Sequence, residues 1–293
     1  MQMIFNITAI IVRIFANSFS NVFQKKLSCE GDNAVCVNFI NYLLLSIICL
    51  PFISLINFNS FNNEFWFYVL LGGICGALAN SFMVMALERG DLSVLGPINS
   101  YKAVIGLIFG MILLKEIPNF YGILGIILII TGSYFIFDTL DEKFSIKVFK
   151  RKDIRYRIYA LLFAAIEAVF IKKVIVLSSI PVSFITTCFS GAVFSYLIMR
   201  FYKLHFRKEL KCISNTHIAL YISTAACFGL MTYTTAYVFK NMNVGYALSL
   251  FQLSIVLNLA LGWKIFHEKD ILKKFAGTLI ILAGSTIIIL LGH

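Results

Sequence analysis

The segment Asn119–Phe137 reads NFYGILGIILIITGSYFIF, and this kind of segment decides the fold class. It carries no charged side chain, and about 20 such residues in an α-helix cross the hydrocarbon core of a bilayer at a rise of 1.5 Å per residue. Inside that core every backbone N–H and C=O group must be bonded within the segment, so the segment is predicted to be a transmembrane helix. A β-barrel fits poorly, because the apolar residues run continuously and do not alternate between two faces.

Similar apolar stretches recur along the whole chain. Hydrophobic residues make up 60% of the 293 residues and charged residues 13%, whereas a soluble domain is about half apolar and a quarter charged. We therefore predict an all-α membrane protein with ten transmembrane helices, at residues 4–26, 34–56, 65–87, 92–114, 119–137, 156–178, 181–201, 216–239, 244–265 and 271–291. The first stretch has neither the basic start nor the cleavage pattern of a signal peptide, so we interpret it as a retained helix.

The ten predicted helices form two groups of five, separated by a polar, basic segment. Glu116 and Glu268 both end a fourth helix, in LLKEIP and IFHEKD, and their numbers differ by 152. The same offset relates further pairs of residues: Gly110 and Gly262, Gly125 and Gly277, Gly132 and Gly284, and Ser133 and Ser285. Because five is odd, the two groups enter the membrane from opposite sides. We predict two inverted five-helix repeats, at 1–137 and 156–293, joined by a connecting loop at 138–155.

The order of short motifs resembles a known family. The fourth helix ends in Glu116-Ile117-Pro118 and is followed by Gly122, Gly125 and Thr131-Gly132-Ser133, and the second half repeats this with Glu268, Gly277 and Ala283-Gly284-Ser285. Over its whole length the chain resembles the drug/metabolite transporter superfamily, ten-helix EamA type. The resemblance implies a central cavity lined by helices one, three, four, six, eight and nine, and transport by alternating access.

Basic residues are distributed unevenly between the two sides of the predicted bundle. The loops after odd-numbered helices hold 19 lysines and arginines, and the even loops and termini hold four. The positive-inside rule then places the odd loops in the cytoplasm and both termini outside. The net charge of +11 is explained by this topology rather than by nucleic-acid binding. The expected location is a bacterial plasma (inner) membrane.

Three ionisable residues, Arg13, Lys102 and Glu167, lie near the middle of predicted helices. Each would cost at least about 2.5–3.5 kcal/mol facing lipid, so each should face the bundle or a water-filled cavity. The offset maps Arg13 onto position 165, which puts Arg13 and Glu167 at similar depth on related helices. Two interpretations stay open. The two residues form a structural ion pair, or they bind opposite ends of a substrate, with Glu167 as a candidate carrier of a coupling proton.

Polar residues at matching depths in the other helices extend this candidate site. Lys102 follows Pro97 and lacks a carboxylate within one turn, so we hypothesise that the anionic group of a substrate completes its interactions. The alternative for the uncharged residues is hydrogen bonding between helices. The full set of predicted substrate-binding residues is Arg13, Asn17, Asn80, Asn99, Ser100, Tyr101, Lys102, Glu167, Tyr233, Ser249, Gln252 and Ser254.

These features favour a secondary transporter of a small polar or charged metabolite, either amino-acid-like or another anionic or zwitterionic solute. The alternatives are efflux of organic cations or drugs, using Glu167 and aromatic side chains, and an integral membrane enzyme acting on lipids, for which we find no catalytic cluster. Without a Walker-type loop, ATP is not expected to drive transport, which leaves a proton or sodium ion as coupling ion. The cysteines show no CxxC pair, so we expect no metal ligand or cofactor. The expected partners are a small-molecule substrate and the lipid bilayer, with the protein a monomer or weak homodimer.

Overall fold

The computed structural model is helical throughout the residues that it describes, which are 2–98, 101, 119–137, 148–206, 215–241 and 244–291. The first repeat contains α1 (Gln2–Cys29), α2 (Ala34–Ile53), α3 (Asn63–Arg89), α4 (Leu92–Ile98) and α5 (Phe120–Phe137). The second contains α6 (Lys152–Leu177), α7 (Ile180–Phe201), α8 (Asn215–Asn241), α9 (Val244–Phe251), α10 (Ser254–Phe266) and α11 (Ile271–Leu291). Short 3₁₀ turns lie at Phe58–Ser60 and Val148–Lys150. The predicted all-α class is confirmed.

Among the described helices, α2, α3, α7 and the segment His217–Asn241 of α8 are long and apolar enough to cross a membrane by length and composition. The helices α1 and α6 are longer than a bilayer crossing requires. They carry charged and polar side chains that lower their mean hydropathy. Some of those side chains, among them Arg13 and Glu167, line the interior cavity described below.

Short polar residues begin several of the membrane helices. The Asn33 side chain accepts a hydrogen bond from the Val35 amide at the start of α2, and Asn62 accepts one from Phe65 at the start of α3, both at 3.0 Å. Ser179 caps α7 in the same way. Each cap satisfies one of the four amide groups that the first turn of a helix leaves without a partner, which fixes the helix start at the membrane boundary.

The repeats are inverted, as predicted, and glycine contacts between α5 and α11 show the two-fold relation directly. A Cβ atom added at Gly132 would lie 2.6 Å from the Gly277 carbonyl oxygen, and one added at Gly284 would lie 2.7 Å from the Gly125 carbonyl oxygen. The offset of 152 residues relates Gly132 to Gly284 and Gly277 to Gly125. The second contact is therefore the repeat-related copy of the first. The helix pairs that pack along each other show the same two-fold relation. The helix α3 packs along α6, and α8 and α1, which the offset relates to α3 and α6, also pack together.

The ninth predicted helix, at 244–265, is interrupted in the structure between α9 and α10. Hydrogen bonds of the i→i+3 type replace the α-helical ones here, from the Leu253 amide to the Leu250 carbonyl at 3.2 Å and from Ile255 to Gln252 at 2.9 Å. No proline or glycine marks this point. A 3₁₀ segment inside a helix is a common site for a hinge, and this one lies beside the cavity.

Candidate substrate-binding cavity

A cavity of about 170 Å³ lies between the two repeats. Helices α1, α3, α4 and α6 line it together with α8, α9 and α10, and α2 and α7 add one residue each. Its polar and charged lining residues are Arg13, Asn17, Ser20, Asn21, Gln24, Tyr42, Asn80, Arg157, Glu167, Thr187, Thr232, Thr235, Ser254 and Asn258. The volume suits a small solute rather than a lipid or a polymer.

Arg13 brings a cation into this cavity. Its guanidinium carbon lies 3.9 Å from the centre of the Phe251 ring, at the end of α9. The Nε and Nη1 atoms are buried and have no hydrogen-bond partner in the part of the chain that the structure describes. Leaving buried donors unpaired costs about 1–3 kcal/mol per group, and more for charged groups. The cavity therefore offers N–H donors to an incoming acceptor.

The helix α1 holds the hinge between α9 and α10 through two polar contacts. The Asn17 amide donates to the Ser254 hydroxyl at 3.5 Å, and the Ser18 hydroxyl donates to the Ser254 carbonyl at 3.4 Å. Both distances are at the long end of the hydrogen-bond range, so the contacts are weak. Asn17 and Ser254, both predicted site residues, therefore lie together on the cavity wall.

Glu167 enters the cavity from α6 and packs against α3 at a glycine. A Cβ atom added at Gly76 would collide with the Glu167 Oε1 atom and lie 3.4 Å from the Tyr42 hydroxyl. Gly76 thus makes room for a carboxylate beside a phenol. The predicted ion pair between Arg13 and Glu167 is not among the salt bridges between described residues, although both side chains line the same cavity.

Asn80, another predicted site residue, lines the cavity and also takes part in a contact between helices. Its amide donates to the Asn38 side chain, and Asn38 in turn donates to the Ser81 hydroxyl at 2.7 Å and to the Ser195 hydroxyl at 3.1 Å. This network joins α2, α3 and α7. The Asn80 amide is therefore already engaged in holding helices together.

The remaining predicted site residues lie elsewhere. Tyr101 donates to the Ser133 hydroxyl at 2.8 Å and packs in an apolar cluster rather than on the cavity wall. Tyr233 is 42% exposed and packs edge-on against Phe184, which removes it from the cavity lining. Gln252 is buried at the hinge and is not a lining residue. Asn99, Ser100 and Lys102, and the side chain of Ser249, lie outside the described residues.

The structure also adds cavity residues that were not in the predicted substrate-binding set. Asn258 lies one turn after Ser254 on α10, and it lines the cavity. Gln24 lies nearly two turns after Asn17 on α1, and it lines the cavity as well. Arg157, near the predicted start of the sixth helix at 156, was counted with the basic residues of the preceding loop; α6 begins at Lys152, and Arg157 lines the cavity. No feature of the sequence distinguished Tyr42 and Thr187 as cavity residues. No group of His, Cys, Asp and Glu in the described ranges is arranged to hold a metal ion.

A buried ionic network closes one end of the bundle, which we call the odd end and define by residues 30–33, 90–91 and 267–270. Glu268 accepts hydrogen bonds from Lys25 at 3.0 Å, from the Leu92 amide at 2.8 Å and from the Ser93 amide at 2.9 Å. It thereby ties the end of α1 to the first turn of α4. A second ion pair, Lys274 with Asp91 at 3.3 Å, lies beside it.

We expect protein stability to fall in acid as Glu268 takes up a proton. Burial raises the pKa of Glu268, but Lys25 and the Ser93 amide outweigh it and hold the pKa below its usual 4.5. Because the folded pKa is depressed, the stabilisation is fully present above pH 4.5 and is lost as the pH falls through the folded value. Melting temperatures of the purified protein between pH 3 and 7 should show this loss.

The variant Glu268→Gln tests whether Glu268 causes the loss of stability in acid. It should weaken the network by roughly 3 kcal/mol at neutral pH, since it leaves Lys25 buried without an anion, and it should flatten the acid limb of the stability profile. Glu64→Gln, at the exposed start of α3, is the matched control. An unchanged acid limb in Glu268→Gln would show that another carboxylate sets the profile.

Comparison with known proteins gives the family. The model of the EamA-like transporter family matches residues 4–138 and again residues 154–290, once in each repeat. A protein of known crystal structure superposes with a TM-score of 0.67, over 99% of this chain and 96% of that chain, at 12% sequence identity, which shows a shared fold. No curated protein matches the sequence. The family-model match over both repeats shows that the chain belongs to the EamA-like transporter family, whose members carry small solutes across membranes.

Proposed function

We propose that this protein is a secondary transporter of an amino-acid-like or other anionic or zwitterionic metabolite. The solute binds in the cavity between the repeats, with its anionic group at Arg13 and a cationic group at Glu167. The supporting observation is that the Nε and Nη1 atoms of the Arg13 guanidinium are buried at the cavity without hydrogen-bond partners among the described residues. The carboxylate of a solute would provide a charged acceptor for the N–H donors of this guanidinium.

Lys102 stays part of this proposal as a sequence-based prediction. It lies outside the described residues, next to Tyr101. With Arg13 and Arg157 it would give the translocation path more cationic than anionic side chains. Such an excess favours solutes that carry a carboxylate or another anionic group.

The proposed driving force is an ion gradient. Glu167 is the natural carrier of a coupling proton, because it is a carboxylate inside the cavity and can be neutralised when a proton replaces the cationic group of the solute. Sodium is the other candidate. Alternating access would use the hinge between α9 and α10, where Ser254 meets α1 through two long hydrogen bonds.

Export of organic cations is the second candidate, and the aromatic lining of the cavity favours it. Tyr42, Phe228, Phe239 and Phe251 all contribute to the wall, and aromatic faces attract cations. Glu167 would then be the main binding group. Arg13 argues against this candidate, because its guanidinium already covers the Phe251 ring at 3.9 Å.

We expect both termini to lie outside the cytoplasm of a bacterial inner membrane. A cysteine introduced at position 2 or 293 should react with membrane-impermeant thiol reagents in intact cells, and one at position 150 should react only after lysis. The reason is the excess of basic residues in the odd loops. The protein without an introduced cysteine is labelled in parallel, and its signal is subtracted as the contribution of the native cysteines. The reverse pattern would contradict this orientation.

Counterflow in proteoliposomes tests the proposed function. Vesicles loaded with a mixture of unlabelled amino acids should accumulate trace labelled amino acid from outside, and vesicles without protein should not. Vesicles loaded instead with quaternary ammonium compounds should show no counterflow of a labelled one. Counterflow of the ammonium compound without that of any amino acid would replace the proposal with cation export.

A further inference from the structure

Arg157 brings a second buried cation to the cavity, at a different depth from Arg13. It is 7% exposed, and its Nε atom donates to the Leu95 carbonyl oxygen at 2.8 Å, while its Nη1 atom contacts the Met83 sulfur. Both partners are neutral. Arg157 and Glu167 are ten residues apart on α6, which is about 15 Å along the helix axis. A small solute held at Glu167 therefore does not reach Arg157.

The acidic side chains around Arg157 at the odd end are engaged by other cations. Asp153, one turn earlier on α6, binds Arg151 through both carboxylate oxygens at 3.1 Å. The paired carboxylates of the network described above are Glu268, with Lys25, and Asp91, with Lys274. Within the described ranges no salt bridge includes Arg157. Among the described residues, the Arg157 charge is therefore not balanced by an ion pair.

Two amide side chains on the cavity wall each have one buried atom without a partner among the described residues. Gln24 is 1% exposed and Asn258 is 3% exposed, and both line the cavity. The Gln24 Nε2 atom and the Asn258 Oδ1 atom have no hydrogen-bond partner in the described part of the chain. The helices α1 and α10 run in the same direction from the contact of Asn17 with Ser254, so both amides lie nearer the odd end than Arg13 does.

Lys25, the residue after Gln24, and the Leu92 amide both bind Glu268. Arg157 binds the carbonyl of Leu95, three residues after Leu92, so Gln24 and Arg157 line the cavity near the same end.

We propose that Arg157 and Gln24 form a second anion-binding subsite, which holds the carboxylate or other oxyanion of a solute between the central site and the odd end. The inference deepens the proposed function, since it supplies the path by which an anionic group would travel to or from Arg13. Arg157 and Gln24 line the same cavity, and a charged and a neutral N–H donor together match an oxyanion. A cationic solute meets repulsion there.

The charge at this subsite can be measured without knowing the solute. In Gln24→Cys, the reaction rates of position 24 with an anionic reagent, 2-sulfonatoethyl methanethiosulfonate, and a cationic one, 2-trimethylammonioethyl methanethiosulfonate, are followed by peptide-resolved mass spectrometry. The exposed native Cys29 on the same helix is the internal reference. We expect the ratio of anionic to cationic rates at position 24 to exceed that at Cys29 by about tenfold, as for a unit charge nearby in a partly wet cavity.

Variants of Arg157 test whether its charge causes the preference for the anionic reagent at position 24. Arg157→Gln should bring the ratio at position 24 down about tenfold, and Arg157→Lys should keep most of it because the charge remains. Equal ratios at position 24 and Cys29 would overturn the proposal, whether or not Arg157→Gln folds. The proposal would also be overturned if neither reagent reacted with the thiol at position 24. Because the labelling needs no transported solute, failure of the amino-acid counterflow experiment would leave this result standing, and the two proposals fail separately.

Discussion

Replacing Arg13 by glutamine is expected to reduce uptake of an anionic or zwitterionic solute by about a hundredfold. The change removes two N–H donors, each worth about 1.5 kcal/mol or more as a charge-assisted hydrogen bond to the solute. The empty protein should melt at a higher temperature, because a buried guanidinium with two unpaired donor atoms is costly before the solute arrives. Initial uptake rates in proteoliposomes and thermal melting of the same preparation measure both effects.

Two further variants make the Arg13 result specific. Arg13→Lys keeps the charge but loses the planar fork, so it should recover part of the uptake. Arg155→Gln removes an arginine from the exposed face of α6 and should transport like the wild type. Normal uptake by Arg13→Gln, or a variant that fails only because it unfolds, would place Arg13 outside the binding site.

Replacing Gly132 by alanine is expected to destabilise the protein by about 2–3 kcal/mol through overpacking. The new Cβ atom would lie 2.6 Å from the Gly277 carbonyl oxygen and 2.9 Å from the Ile281 amide nitrogen. Both are backbone atoms of α11, so the contact is relieved only if α5 and α11 separate. The melting temperature in detergent should fall by roughly 5–10 °C.

Gly72→Ala is the matched control for that substitution. Gly72 also lies inside a membrane helix, but an added Cβ atom would meet only the Phe170 Cβ atom, at an ordinary 3.5 Å. Alanine should be neutral or slightly stabilising there, since it has the higher helix propensity. Equal melting temperatures for Gly132→Ala and Gly72→Ala would contradict the close contact between α5 and α11.

The fold could be predicted from sequence because membrane burial imposes a simple rule. Apolar runs of bilayer length must be helices, and the common offset of Gly125 with Gly277 and of Gly132 with Gly284 gave the inverted repeat. In the structure these glycines contact each other across the repeat boundary. The interruption between α9 and α10 was not predictable, because the sequence there has no proline or glycine and the i→i+3 hydrogen bonds depend on tertiary packing.

The candidate site was predicted less completely, mainly because helix rotation is hard to infer from polar residues alone. Arg13, Asn17, Asn80, Glu167 and Ser254 all line the cavity. On α8, however, Thr232 and Thr235 face the cavity, and Tyr233, one residue and about 100° further round, is exposed. Where several neighbouring residues are polar, the sequence alone does not select among them.

Arg157 was missed for a different reason. Its charge was counted with the basic loop before the sixth helix, although position 157 is the second residue of the helix predicted at 156–178. The structure begins α6 at Lys152. Arg157 therefore lies in the second turn of α6, where it is buried and lines the cavity.

The central claim is that the cavity recognises the anionic end of a small zwitterion. The most direct test compares three related ligands, an amino acid, its methyl ester and its decarboxylated amine, by their effect on the melting temperature of the purified protein. A ligand that binds only the folded state stabilises it, by about 2.7 kcal/mol at one hundred times its Kd. We expect the amino acid to raise the melting temperature of the wild type but not of Arg13→Gln, and the ester and amine to have no effect. Stabilisation by the amine and not by the amino acid would contradict the claim.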